Sequence, residues 1–120
     1  MTKSAQIEEV LRNLKAAVPE IRGALVATTD GLPVATDFPE GEAARIAAMA
    51  ATALGLGKRI AQSTALGGLE EVVVRGAEGY LVVYSAGAQA VLAVSAPAGA
   101  NLGLIHLEAR GAARSIANVL

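Results

Sequence analysis

Apolar positions recur with a helical period at the start of the chain. Ile7, Val10, Leu11, Leu14 and Val18 fall on one side, and Gln6, Glu9, Arg12, Asn13 and Lys15 on the other. This spacing predicts an amphipathic helix 1 over Ser4 to Val18. Ser4 is its expected N-cap, and Pro19 ends it because the residue before a proline avoids the α region. Gly23 to Thr28 is an uncharged, strand-like run, and Thr29-Asp30-Gly31 follows it. Asp-Gly between two apolar runs marks a hairpin, with Asp30 as a turn former. Leu32 to Thr36 returns as strand 2. Pro33 cannot donate to a ladder, which puts that strand at a sheet edge.

Pro39-Glu40-Gly41-Glu42 opens helix 2, which runs to Ser63. Glu40 and Glu42 suit its positive end, and Lys58 and Arg59 its negative end. After Gly67-Gly68, three strands follow at hairpin spacing: Leu69 to Arg75, Tyr80 to Tyr84 and Ala90 to Ser95. A loop over Ala96 to Ala100 leads to helix 3, Asn101 to Val119. The pattern is therefore α-β-β-α-β-β-β-α, an α/β (α+β) chain expected to form a single domain over residues 1–120, without internal repeats. Strands 1, 4 and 5 are uncharged on both alternating faces, so the sheet is expected to be covered on both sides. Glu70, Glu71 and Arg75 make strand 3 the second edge. Hairpins place strand 2 beside strand 1 and strands 3, 4 and 5 side by side, and then only the antiparallel order 2-1-5-4-3 keeps strands 2 and 3 at opposite edges, with helix 2 on one face and helices 1 and 3 on the other.

Helix 2 changes the picture most. No charged residue lies between Ile46 and Gly57. Ile46, Met49, Ala53, Leu56 and Ile60 form a bulky stripe, assigned to the sheet. The opposite stripe holds Ala44, Ala48, Ala51 and Gly55, flanked by Thr52. A helix that is apolar or small all round is usually buried. The expected cover is a second copy, antiparallel across a two-fold axis near Ala51. Pairing of strand 3 with its symmetry mate, through Glu70, Val72 and Val74, would enlarge the contact towards the usual ~800 Å² per partner.

Composition narrows the chemistry. The chain is 53% hydrophobic, with Phe38, Tyr80 and Tyr84 as its only aromatics and no cysteine. A core of small and branched aliphatic side chains follows, and thiolate chemistry and disulfides are excluded. With ten basic and eleven acidic residues there is no basic stripe, which argues against nucleic acid. No apolar run reaches the length of a bilayer span, and none forms a signal core after Met1, so a soluble, cytoplasmic protein without membrane insertion is expected.

No catalytic set is visible. His106 is the only histidine, and its spacing from Arg110 and Arg114 places it on a solvated polar stripe of helix 3. Without an acidic cluster or cysteine it is a poor metal ligand. Gly55-Leu56-Gly57-Lys58-Arg59 lacks the first glycine and the Ser/Thr of a phosphate loop and lies inside a helix, so helix packing accounts for its glycines. Glu70 and Glu71 are adjacent on a strand, face opposite sides and cannot act as an acid/base pair. No enzyme activity, cofactor or metal is expected. Two alternatives stand beside a protein-binding role: a small-ligand sensor of the PAS or GAF type, and a purely structural dimeric scaffold.

The run Gly23 to Ala35, with its apolar strand, Thr-Thr-Asp-Gly turn and returning strand, resembles the opening of the roadblock / dynein light chain family. The small-residue helix Ala43 to Gln62, the exit Gly67-Gly68 and the meander Leu69 to Ser95 are similar as well, and the likeness leans to the bacterial Mgl-B-like branch. The resemblance implies a roadblock/profilin-like fold and a homodimer built on helix 2 and strand 3. It also implies a Ras-like or Mgl-A-like small GTPase as partner, docked on the paired second helices, with Arg45, Lys58, Arg59 and Gln62 as contact candidates. Some members of the family stimulate hydrolysis in that partner and others only scaffold.

Overall fold

A computed structural model describes residues 1–120, which form eight elements in the predicted order. They are α1 (Lys3–Ala17), β1 (Gly23–Thr28), β2 (Pro33–Thr36), α2 (Ala43–Ser63), β3 (Glu71–Arg75), β4 (Gly79–Ala86), β5 (Ala90–Pro97) and α3 (Leu102–Val119). The five strands make one antiparallel sheet in the order β2-β1-β5-β4-β3. The proline edge and the charged edge therefore lie where the sequence placed them.

Local chemistry sets the boundaries. Helix α1 starts earlier than expected: Thr2, not Ser4, is its N-cap, and Thr2 Oγ1 accepts from the Ala5 N–H at 3.1 Å. Asn101 caps α3 in the same way, accepting from the Leu104 N–H at 3.0 Å. The β1–β2 turn closes on Gly31, whose φ of +91° is a left-handed conformation that glycine adopts without penalty. There the Gly31 N–H donates to the Thr28 carbonyl at 2.9 Å, and the Thr28 N–H donates to the Leu32 carbonyl at 2.8 Å. Past β2, Asp37 accepts from the Ala24 N–H at 2.7 Å and pairs with Lys15, tying the edge strand to α1.

Strand alternation sorts the core into two layers. Ala24, Val26, Val82, Tyr84, Leu92 and Val94 point to α1 and α3, where they meet Ile7, Leu11, Leu14, Ile105, Ala109, Ala113 and Ile116. Leu25, Ala27, Val83, Val91 and Ala93 point to α2. Both faces of the central strands are dry, as their uncharged sequences require.

Helix α2 is turned relative to expectation. The residues it buries on the sheet are Ala47, Ala50, Leu54 and Ala61. Of the bulky stripe assigned to the sheet, Ile46 and Ala53 are half-buried, while Met49, Leu56 and Ile60 are 61%, 56% and 51% exposed. The sheet itself supplies the reason. Its α2 face already carries leucine and valine side chains, so the helix settles close with its small residues inward. Gly57 marks the closest approach: a Cβ there would stand 2.7 Å from Val72 Cγ2 and 3.0 Å from Leu69 Cδ2.

Candidate interaction surface

The outward side of α2 is a ridge with a cation near each end. Arg45, Thr52 and Arg59 are spaced by seven residues, two turns of helix, and so share one line down the exposed face. Met49 and Leu56 lie beside that line, and Ile60 extends it. Together with Ala48, Thr52 and Ala53, Met49 and Leu56 form a shallow trough of about 340 Å³. Three large aliphatic side chains exposed side by side on one helix are unusual for a surface that meets only water.

Each residue expected at a self-association surface can be placed. Ala44, Ala48, Thr52 and Gly55 are exposed on α2. Thr52 Oγ1 donates to the Ala48 carbonyl at 2.8 Å, and nothing approaches within 4 Å of where a Gly55 Cβ would stand. Ala51 is half-buried and belongs to the flank, so the middle of the outward face is Thr52. Val72 is half-buried under Gly57, in the layer between sheet and helix. Val74 is exposed, as is Glu70 just before β3. Among the expected partner contacts, Arg45, Lys58, Arg59 and Gln62 are all exposed, and the three cations form no ion pair. Arg45 and Arg59 share the line of Thr52, whereas Lys58 and Gln62 lie round the flank towards Ala51.

The ridge runs beside an open sheet edge. Strand β3 pairs with β4 alone, from Glu71 opposite Tyr84 to Arg75 opposite Tyr80. Its other side presents unpaired backbone N–H and C=O groups, next to the exposed side chains of Val73 and Val74. Helix α2 comes down on β3 at Gly57, over Val72, so the ridge and the unpaired edge belong to neighbouring elements. The segment Gly55 to Arg59, which superficially matches a phosphate loop, is an uninterrupted part of α2.

A second polar cluster lies on the opposite face of the sheet and corrects the reading of His106. Its ring is not on a solvated stripe. His106 Nδ1 is 2.8 Å from the Tyr84 hydroxyl, and the two rings meet edge-on with centroids 5.8 Å apart. Glu71 Oε1 lies 3.9 Å from the same nitrogen and accepts two hydrogen bonds from Arg110, at 2.6 and 3.2 Å. Tyr84 is only 1% exposed, and burial, reinforced by the Glu71 charge, pushes its phenol well above the ordinary tyrosine range. The hydrogen bond to Glu71, then its charge, raises Arg110 as well. Helix α3 brings His106 and Arg110 to one side because they are four residues apart. That spacing was visible in the sequence, but the register that sets Glu71 opposite Tyr84 was not.

No three acidic, histidine or cysteine residues come together as a metal site, and no helix is long and apolar enough to cross a membrane.

Comparisons with known proteins fit this architecture. The family model of the Roadblock/LC7 domain matches residues 6–96. Uncharacterized protein MJ0714 of Methanocaldococcus jannaschii is 33% identical over 113 residues, covering 93% of this chain and 94% of that protein. Uncharacterized protein MJ1340 of the same organism is 35% identical over 97 residues, 80% and 84% of the two chains. Among solved structures, one described as MglB with tetrameric arrangement superposes with a TM-score of 0.88 at 22% identity, over 99% of this chain and 90% of that one. The gliding protein MglB of Thermus thermophilus gives 0.86 at 21%, over 99% and 91%. A Roadblock/LC7 domain from Streptomyces avermitilis gives 0.85 at 25%, over 91% and 92%.

Proposed function

The chain belongs to the Roadblock/LC7 domain family, and from that premise we propose that it is a non-enzymatic homodimeric regulator or scaffold that engages a Ras-like, Mgl-A-like small GTPase. The observation that carries the reading is the apolar ridge of Met49, Leu56 and Ile60, exposed beside the open edge of β3. Leaving such a ridge in water costs free energy that a second copy recovers. The open strand edge offers ladder hydrogen bonds to the same copy. The ridge departs from the residues first expected, but it strengthens the case for a partner, because leucine, isoleucine and methionine gain more from burial than alanine does.

The charges suggest where the GTPase sits. In an antiparallel pairing about Thr52, Arg45 and Arg59 are equally far from the axis, about 10 Å along the helix at 1.5 Å per residue. Each end of the paired helices then carries Arg45 of one copy and Arg59 of the other. Two guanidinium groups brought together repel each other modestly, and an acidic patch on a partner relieves that repulsion. The dimer thus offers two cationic sites on a rigid platform. No group on this surface attacks or transfers a proton, so any faster hydrolysis would come from repositioning the GTPase's own catalytic groups. A role beside such a GTPase implies a cytoplasmic protein.

The decisive experiment is a pull-down from native cell extract with GTP or GDP analogues present. The reading predicts nucleotide-dependent capture of a small GTPase, weakened by Arg45→Glu together with Arg59→Glu. Capture of no GTPase in either nucleotide state removes the proposal. Native mass spectrometry addresses the sensor alternative, which requires a retained metabolite.

A further inference from the structure

The cluster beneath the start of β3 has no part in the proposed docking: Tyr84 is buried, Glu71 and His106 are half-buried and Arg110 is exposed. Glu71 comes from β3, Tyr84 from β4, and His106 and Arg110 from α3. These are the charged and titratable groups that meet at His106. Arg75, further along β3, rests over the Tyr80 ring instead, and Glu70 faces the groove beside Arg110 and Arg114.

We propose that His106 is a proton-operated latch on the open edge of the sheet. The buried Tyr84 hydroxyl stays protonated and needs an acceptor, and Nδ1 of a neutral imidazole is that acceptor at 2.8 Å. This fixes the proton of the neutral ring on Nε2. A solvent proton arriving at Nδ1 ends that donation, since one nitrogen cannot accept from Tyr84 and carry a hydrogen at once, and the phenol O–H must turn away. The new N–H takes the lone pair that faced the Tyr84 oxygen, and the ring becomes a cation 3.9 Å from Glu71 Oε1. Glu71 then divides its carboxylate between Arg110 and the imidazolium. Glu71 is the first residue of β3, a strand that within one subunit has a ladder on one side only. Its displacement is therefore passed to the strand's backbone, where the sheet has least to resist it. Proton binding at His106 resets the start of the strand edge. That this edge is also a docking edge rests on the function proposed above.

The test uses the intact chain, whose single histidine makes the ring signals unambiguous. Ring nitrogen and backbone amide NMR spectra are followed between about pH 8 and 5, the window in which imidazoles change charge. The latch predicts the Nε2–H tautomer at the alkaline end. It also predicts that the amides of Glu71, Val72 and Val73 shift with the same midpoint as the ring. In Glu71→Gln the ring still titrates but those amides no longer follow. In Tyr84→Phe the tautomer preference falls towards that of free imidazole. An Nδ1–H tautomer at pH 8, or strand amides that stay still while the ring titrates, overturns the proposal. These readouts lie within one subunit, so they decide the latch whether or not a GTPase is captured.

Discussion

Leu54 and Leu56 stand two residues apart on α2 and face opposite ways, so truncating each should give opposite phenotypes. Leu54 is 2% exposed between Ala50 and the sheet. A buried leucine cut to alanine costs about 2–5 kcal/mol, and with Ala47 and Ala50 as neighbours little can collapse into the space, so about 3 kcal/mol is expected. Against a domain stability of about 5–15 kcal/mol this is a large loss. In urea it moves the midpoint by about 2 M, at a slope of about 1.5 kcal/mol per molar. Leu56 is 56% exposed, so its truncation changes the stability of one subunit by no more than about 0.5 kcal/mol. Its effect falls on association. Full burial of a leucine contributes about 1.5–3 kcal/mol, and roughly half of Leu56 is already covered, so each copy forfeits about 1 kcal/mol. A two-fold contact takes the substitution twice, and about 2 kcal/mol weakens the dimer roughly 30-fold. Urea melts at low micromolar concentration read the first effect, and sedimentation equilibrium over a concentration series reads the second. A Leu56→Ala protein that associates as tightly as the parent refutes the assignment of faces, as does a Leu54→Ala protein of unchanged midpoint.

The two glycines of α2 give a second paired contrast. Gly55→Ala meets open space and should raise the unfolding free energy by up to about 1 kcal/mol through helix propensity. Gly57→Ala drives a methyl into Val72 and should lose about 1 kcal/mol net, the clash outweighing the same propensity gain; thermal melts of both variants decide. The buried phenol predicts alkaline sensitivity. The folded state holds the Tyr84 proton above the pH at which the unfolded chain releases it, so its contribution is intact below about pH 10 and is lost as pH rises towards the folded value, by up to about 1.4 kcal/mol per unit. Urea titrations at stepped pH above 10 should show this slope in the parent and not in Tyr84→Phe, and parallel slopes contradict it.

Much of the architecture was legible because each clue had a separate physical cause. Pro33 cannot donate, Glu70 and Arg75 tolerate water, and the uncharged runs at Leu25, Val82 and Leu92 need cover on both faces. Those facts, joined to the hairpins that set strand 2 beside strand 1 and strands 3, 4 and 5 side by side, leave one strand order. The orientation of α2 was not legible from hydrophobicity, because every side of its middle is small or apolar. The missing consideration was volume. A sheet face already filled by Leu25, Val83 and Val91 takes Ala47, Ala50 and Gly57 in preference to Met49 and Leu56. The seven-residue spacing of Arg45, Thr52 and Arg59 held the answer, since cations mark the wet side. His106 was misplaced for a related reason: its helical neighbours are polar, but its partners Tyr84 and Glu71 reach it from strands whose register no local pattern encodes.

The absence of cysteine makes one measurement direct. Thr52→Cys places a single thiol at the middle of the ridge, and Ser115→Cys places one on the exposed side of α3 as a control. Under mild oxidation at low micromolar concentration, a ridge covered by a second copy predicts rapid conversion of the Thr52→Cys protein from 12.0 kDa to a disulfide-linked species of twice that mass, with the Ser115→Cys protein lagging far behind. Equal, slow cross-linking of the two would mean that the ridge faces water in a lone subunit.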